Sequence, residues 1–225
     1  MIEDRSEEWF EQIVDTPHGN QVKATADRYQ GRVWSVRSDS VDFGTSMHQR
    51  DVLLHPGAVA VIALDEDDRV LLIRQYRHPV AMYLFEPPAG LLDVEGEPPW
   101  ETAARELAEE SGYGAKSWHT LVDMFNSPGG SSEAIRIYLA RDLHPLPDGR
   151  PRTGEAEEAH LPRVWVPLHE AVGLVLSGHI GSPSAVCGIL AAQESQNQGW
   201  RSLRPADAPW AARANLEQQG RVHRM

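Results

Sequence analysis

The chain lacks a second cysteine, a long apolar run and an excess of positive charge. Each absence removes a class of protein. Cys187 is the sole cysteine among 225 residues, so no internal disulfide can form, and a reducing cytoplasm is the expected location. Its setting, Ala185-Val186-Cys187-Gly188-Ile189-Leu190, reads as a buried site on an apolar helix rather than a reactive thiol. No apolar stretch approaches the roughly 20 residues that cross a bilayer. The opening MIEDRSEEWF is acidic and polar, unlike a secretory leader. Lysine and arginine number 21 against 33 acidic residues, a formal net charge of −12, which argues against a nucleic-acid backbone as partner. A small polyanion can still bind where metal ions and local arginines reverse the field. Internal repeats and long low-complexity runs are also missing. With 41% hydrophobic and 24% charged residues, the chain is long enough for one domain with a real core and an added element.

What is present is concentrated between Gly90 and Tyr113, where the chain reads GLLDVEGEPPWETAARELAEESGY. Its second half predicts a short helix, started by Pro98 and Pro99 and stopped by Gly112. On that helix Glu106 and Glu110 stand four residues apart, with Glu109 three from Glu106, so the carboxylates share a face. Like charges at this spacing repel, and Glu109 and Glu110 also lie where the helix dipole disfavours negative charge. Each penalty is only tenths of a kcal/mol, roughly. Two readings follow: a solvated acidic face, or a site for a hard divalent cation that takes oxygen ligands and offsets the repulsion. Ala104, Leu107, Ala108 and Ser111 fall on the other face, small enough to sit close against a sheet.

Along the rest of the chain the pattern is mostly β. Residues 1 to about 30 are polar and mixed, an arm expected to carry a short helix. GRVWSVRSDSVDF and MHQRDVLLH read as two antiparallel strands joined at Gly44-Thr45-Ser46. AVAVIALD and RVLLIRQYR read as a hairpin around Glu66-Asp67-Asp68, with central strands. SWHTLVDMF, EAIRIYLAR and RVWVPL are further strands, followed by helices near 169–176 and 184–194. Beyond about Ser195 the tail is rich in Gln, Arg, Pro and Trp, and reads as either a disordered end or a strap across a partner. The organisation expected is an N-terminal arm and strand unit (1–56), a catalytic domain (57–195) and a C-terminal tail (196–225).

The helix resembles a known family. Arg105-Glu106-Leu107-Ala108-Glu109-Glu110-Ser111-Gly112-Tyr113 matches the R-E-U-x-E-E-x-G-U half of the Nudix box at every fixed position, U being a bulky apolar residue. In the leading half, G-x5-E-x7-R, Glu97 to Arg105 is in register, while Gly90 to Glu97 is one residue too long. The extra residue lies in Asp93-Val94-Glu95-Gly96, ahead of the ligand-bearing helix. Similarity extends over roughly Val33 to Glu194. His55-Pro56-Gly57-Ala58-Val59-Ala60-Val61, Ile73-Arg74-Gln75-Tyr76-Arg77 and Glu86-Pro87-Pro88-Ala89-Gly90 resemble the bacterial ADP-ribose pyrophosphatase branch. Ser127-Pro128-Gly129-Gly130-Ser131-Ser132-Glu133 is similar to its catalytic loop, with Pro128 fifteen residues past Tyr113.

The resemblance implies an α/β fold, a Nudix α/β/α sandwich with a mixed sheet, here with an added N-terminal antiparallel strand unit. It implies hydrolysis of the diphosphate of ADP-ribose to AMP and ribose 5-phosphate, with Mg2+, or Mn2+ as a substitute. The implied metal ligands are Glu106, Glu110, Glu109 and the backbone carbonyl of Ala89. Glu133 would activate or position the water, or complete the metal shell, with Glu109 the other candidate base. Arg105 would orient the carboxylates through an ion pair with Glu97. Arg77, Arg74 and Glu86 are implied substrate contacts. Trp34 and Arg50, on a strand pair exchanged between the subunits of a homodimer, would hold the adenine at the neighbour's site. On residue type alone, Glu133 is also an ordinary strand-start acid, Arg74 and Arg77 solvated strand arginines, and Trp34 a core or interface residue. The ten histidines show no metal-ligand spacing and read as surface residues. Alternatives to the implied activity are a pyrophosphatase for another nucleotide sugar or dinucleotide, and a non-catalytic ADP-ribose sensor. Sensors of that type usually lose box acids or carry a DNA-binding domain, whereas here the acids are complete. A Nudix-fold isomerase is disfavoured, because Cys187 lies far outside the box.

Overall fold

Two faces of one strand organise the molecule. In the computed structural model, which describes residues 13–17, 19–151 and 161–224, strand β4 (Ala58–Ala63) is a nearly continuous apolar run. Because side chains alternate along a strand, Val59, Val61 and Ala63 point one way, and Ala60 and Ile62 the other. The first set packs with Ala103 and Leu107 of helix α1 (Pro99–Ser111). The second packs with Ala185, Ile189 and Ala192 of helix α3 (Pro183–Asn197) and with helix α2 (Leu168–Leu176). Helices on both faces of a sheet make the α/β/α sandwich expected of the chain. The sheet has five strands in the order β11-β8-β9-β4-β7. Here β7 is Ala89–Leu91, β8 Tyr113–Phe125, β9 Ala134–Pro145 and β11 Arg204–Pro205. It is mixed: β4 runs parallel to β9, and the other pairs are antiparallel.

Strand β5 (Arg69–Arg77) departs from the simple hairpin read from the sequence. The turn at Asp65–Asp68 forms, with the Asp68 N–H donating to Asp65 O at 3.1 Å. Pairing then stops at the single bridge Leu64–Val70. Beyond it β5 joins a second sheet, ordered β10-β5-β6, with β10 Arg163–Pro167 and β6 Met82–Glu86. Both strands are apolar enough to be buried on two faces, so composition could not tell one sheet from two.

The N-terminal unit is a three-stranded antiparallel sheet, β1 (Gln21–Gln30), β2 (Ser35–Asp42) and β3 (Met47–Leu54). The strand pair and its turn lie where the sequence placed them. The polar arm, expected to hold a short helix, is from Gln21 a strand, and residues 1–12 lie outside the described residues. All ten residues of β1 are exposed, so the short alternation Val22-Ala24-Ala26 buries no face. Backbone pairing to β2 holds it, interrupted by irregularities at Val22/Ala24 and Asp27/Tyr29. Thr25 adds a hydrogen bond to Asp39 (3.0 Å) and Arg28 one to Ser38 (2.9 Å).

The C-terminal residues run back across their own chain, a form the sequence did not announce. Strand β11 pairs with Thr120 and His119 of β8. The Arg136 guanidinium, 2% exposed, then fastens the segment: it donates to Asp123 (2.7 and 3.0 Å), Ala208 O (2.6 Å) and Pro209 O (3.2 Å) and lies over the Trp210 ring. Helix α4 (Ala211–Gln218) follows, and its Arg213 donates to Pro56 O. Past it Gly220 O accepts from Arg37 (3.1 Å), Arg221 pairs with Asp39 (3.5 Å), and Val222 bridges to His55.

Candidate active site

Helix α1 begins where its prolines allow and ends at Gly112, whose φ of 74° is left-handed and whose N–H caps Ala108 O. The buried side comprises Thr102, Ala103, Glu106, Leu107, Glu110 and Ser111. This corrects the expected sheet-facing set: Ala104 and Ala108 are only half-buried, and Ala103 takes the inner position. The rotation brings Glu106 and Glu110 inward, 9% and 3% exposed. A purely solvated acidic face is therefore excluded for these two.

Buried carboxylates need partners, and Arg105 supplies several. It grips Glu97 in a two-pronged contact, Nε to Oε1 at 3.2 Å and Nη2 to Oε2 at 3.1 Å. Its Nη1 donates to Glu106 at 2.8 Å and to Glu109 at 3.3 Å. Thr102 Oγ1 completes the grip on Glu97 at 2.8 Å. The guanidinium beside Glu97 holds that carboxyl below the usual glutamate range, and the same bonds push Arg105 further up.

Across from the helix, β7 meets the acids through its backbone. The Ala89 N–H donates to Glu110 Oε2 at 2.8 Å. At the next residue, Gly90, the space a Cβ would take is filled by the Glu106 side chain. Glycine is what lets the carboxylate lie against the strand. Arg150 adds an electrostatic interaction with Glu110, its own pKa lowered by burial and by Arg163. The set is then four carboxylates (Glu97, Glu106, Glu109, Glu110) against the guanidinium of Arg105 and the nearby charge of Arg150. The surplus is negative and offered through oxygen, the donor chemistry a hard divalent cation takes. Among the described residues no three acidic, His or Cys side chains converge as a cage; Arg105 stands among the acids and bridges them.

The one-residue-longer loop, 92–97, forms one wall of a cleft of about 700 Å³. Trp210, Arg213, Glu217 and His223 of the C-terminal segment form the other. The insertion thus faces the tail, while the helix beyond it keeps its register.

Glu133 stands immediately before β9, at the end of the glycine-bearing loop. Its carboxylate accepts from Asn126 Nδ2 at 2.7 Å and faces His55 Nε2 at 3.8 Å. The loop is stitched to the N-terminal unit: Leu53 N–H donates to Gly130 O and Ser132 N–H to Leu53 O, both at 2.9 Å. Arg77 holds buried Glu86 through Nε (2.8 Å) and Nη2 (2.7 Å). Arg74 lies over the Tyr83 ring at 4.5 Å. Trp34 contacts Tyr29, with ring centroids 5.5 Å apart, and Arg50 lies 5.4 Å over Phe43. Both belong to the N-terminal unit rather than to the box.

Sequence reading passed over Arg150, Arg136 and two histidines. His223 is 5% exposed and His55 is half-buried, which corrects their reading as surface residues. Apart from the local bond from Gly57 to His55, their partners lie far along the chain, and no spacing rule links them.

The arrangement joins carboxylates on a glycine-stopped helix to the backbone of a preceding strand. A model of the NUDIX domain matches residues 54–186. The chain belongs to the NUDIX family. It is 40% identical over 197 residues to an ADP-ribose pyrophosphatase of Mycobacterium tuberculosis, covering 87% of this chain and 93% of that protein. An ADP-ribose pyrophosphatase of Bacillus subtilis is 34% identical over 154 residues, 68% of this chain and 80% of that one. Among solved structures, one described as an ADP compounds hydrolase superposes with a TM-score of 0.69 at 25% identity, covering 83% of this chain and 99% of that one. The chain is a Nudix hydrolase, and its relatives support nucleotide diphosphate hydrolysis. Among the described residues, no helix of this Nudix hydrolase is long and apolar enough to cross a membrane.

Proposed function

We propose that this Nudix hydrolase cleaves ADP-ribose to AMP and ribose 5-phosphate, using Mg2+, with Mn2+ as a substitute. The observation that carries the reading is the pair of buried carboxylates, Glu106 and Glu110, packed against Gly90 and Ala89 with a local surplus of negative charge. Two relatives named ADP-ribose pyrophosphatase support the choice of substrate. Glu106, Glu109, Glu110 and the Ala89 carbonyl would hold the metal. When bound, the ion neutralises phosphoryl charge and lowers the pKa of water. Arg105 keeps the carboxylates aligned through Glu97. Glu133, with Glu109 as the second candidate, accepts the proton of the attacking water. The water oxygen bonds to one phosphorus, the bridging P–O bond breaks, and the departing phosphate carries the electron pair.

Arg77 is assigned to the phosphates or the terminal ribose, its fork set by Glu86 while its side chain stays 44% exposed. Arg74 lies beside it on β5. We assign Trp34 and Arg50 to the adenine at the site of a second copy of the chain. Tyr29, Trp34, Phe43 and Met47 expose apolar surface on the N-terminal sheet, and Tyr76, Met82, Tyr83 and Phe85 expose it on β5 and β6. Surfaces of this kind are costly to leave in water, and a homodimer would cover them. Light scattering should give twice the 25.0 kDa chain mass; a fully active monomer would remove the cross-subunit role of Trp34 and Arg50.

The substrate assignment is tested by comparing kcat/KM on ADP-ribose, a GDP-sugar, a UDP-sugar and a dinucleoside diphosphate. ADP-ribose should lead by at least about tenfold, on the order of 1.4 kcal/mol of transition-state preference. A lead by another compound would transfer the assignment to it.

A further inference from the structure

We infer that His55 is the positioning residue of Glu133, a ring locked in one tautomer that aims its Nε2–H at the Glu133 carboxylate. The inference rests on the proposed role of Glu133 in activating water. Three bonds fix the ring and its backbone. The Gly57 N–H donates to His55 Nδ1 at 3.0 Å, so Nδ1 is an acceptor and carries no proton. The His55 N–H donates to Ser132 Oγ at 3.0 Å, which ties it to the loop that ends in Glu133. From behind, His223 N–H donates to His55 O at 3.3 Å, and Val222 forms a parallel bridge with the same residue.

Protonation follows from that setting. Burial pushes the His55 pKa down, and the nearby His223 pushes the same way, against an opposing pull from Glu133. The ring is neutral at neutral pH, and its one proton sits on Nε2. That nitrogen faces Glu133 Oε1 at 3.8 Å, an electrostatic contact longer than a direct hydrogen bond. Asn126 Nδ2 holds the other oxygen at 2.7 Å. Glu133 therefore stands between two donors, each on a different segment. His223 is itself held at 3.2 Å from Ser35 Oγ and 5% exposed. The C-terminal segment is thus the backstop of the loop, although it lies outside the residues matched by the NUDIX model.

The two jobs of His55 separate by substitution. His55→Gln keeps a donor near the Nε2 position and loses the acceptor for Gly57. His55→Asn keeps the acceptor near Nδ1 and loses the donor toward Glu133. A role through Glu133 requires kcat to fall in His55→Asn on the order of 10- to 10²-fold, with KM within a few-fold. His55→Gln should stay within a few-fold of wild type, and neither change should matter in a Glu133→Gln background. Equal losses in both variants, the reverse order, or a full further loss on top of Glu133→Gln would overturn the inference. Wild-type turnover by Glu133→Gln alone would instead defeat the assignment of Glu133. The unaltered protein gives a second test that needs no variant to fold: long-range 1H–15N spectra should show His55 as the neutral Nε2–H tautomer at pH 7. An Nδ1–H tautomer or a charged ring would overturn the inference.

Discussion

The backbone N–H of Ala89 lies 2.8 Å from Glu110 Oε2, so residues 21 apart in sequence, one on a strand and one on a helix, are tied through one carboxylate. That bond leaves Glu110 with a fixed orientation before any ligand arrives. Preorganisation of this kind is what lets a charged group act without first being moved.

Replacing Glu110 by Gln keeps volume and an acceptor for Ala89, and helix propensity hardly changes. Loss of the anion should lower turnover on ADP-ribose by on the order of 10²–10⁴-fold. Circular dichroism should match wild type. Turnover within a few-fold of wild type would remove Glu110 from the proposed metal set.

At Gly90 even a methyl group has no room, since the Glu106 side chain occupies it. Gly90→Ala should cost about 1–3 kcal/mol of stability as the neighbour shifts. Activity should fall further than stability does, because the displaced group is a proposed ligand. Thermal melts and assays on the same sample separate the two; unchanged activity would show that Glu106 need not lie against β7.

Acid should act through Glu97. Its carboxyl is held below the ordinary glutamate value of 4.5, first by hydrogen bonding to Arg105. A lowered folded-state pKa means stabilisation that is fully present above the ordinary value and disappears as pH falls through the folded one. Below pH 4.5 the wild-type melting temperature should therefore drop more steeply than that of Glu97→Gln. Parallel profiles would contradict the coupling.

Arg136 is the anchor of the C-terminal strap. Arg136→Met leaves Asp123 with Arg204 (2.9 Å) as its partner but releases Ala208, Pro209 and Trp210. Because Asp123 keeps an ion-pair partner, the loss is that of the bonds to the two carbonyls, about 1–3 kcal/mol, and limited proteolysis should cut first within 204–224. Uniform resistance would mean that the strap is held elsewhere.

These residues also show where sequence reading succeeds. Helix α1 was legible because its signals are local: prolines at the start, a left-handed glycine at the end, and charges at a spacing only a helix brings together. Strands β4, β8 and β9 of the sandwich were legible from their apolar residues, whereas the short strands β6, β7 and β11 were not read as strands. Strand β1 was not legible either, since every residue of it is exposed and what defines it is pairing to β2, backbone with two side-chain bonds. The split between β4 and β5 was hidden because both are buried on two faces, and period alone does not name the neighbour. The face of α1 was misread by one position, and only the packing of Ala103 and Leu107 on Val59 and Val61 decides it. His55 and His223 meet across the whole catalytic domain, a distance that local patterns do not span.

The central claim is metal-dependent cleavage of a diphosphate, and one measurement tests it most directly. Purified protein is incubated with ADP-ribose, with Mg2+ or with excess chelator, and the products are separated by anion-exchange chromatography. The account predicts AMP and ribose 5-phosphate in equal amounts with Mg2+, and intact ADP-ribose with chelator. ADP-ribose that binds the protein but survives uncleaved in Mg2+ would contradict the account and make the chain a sensor.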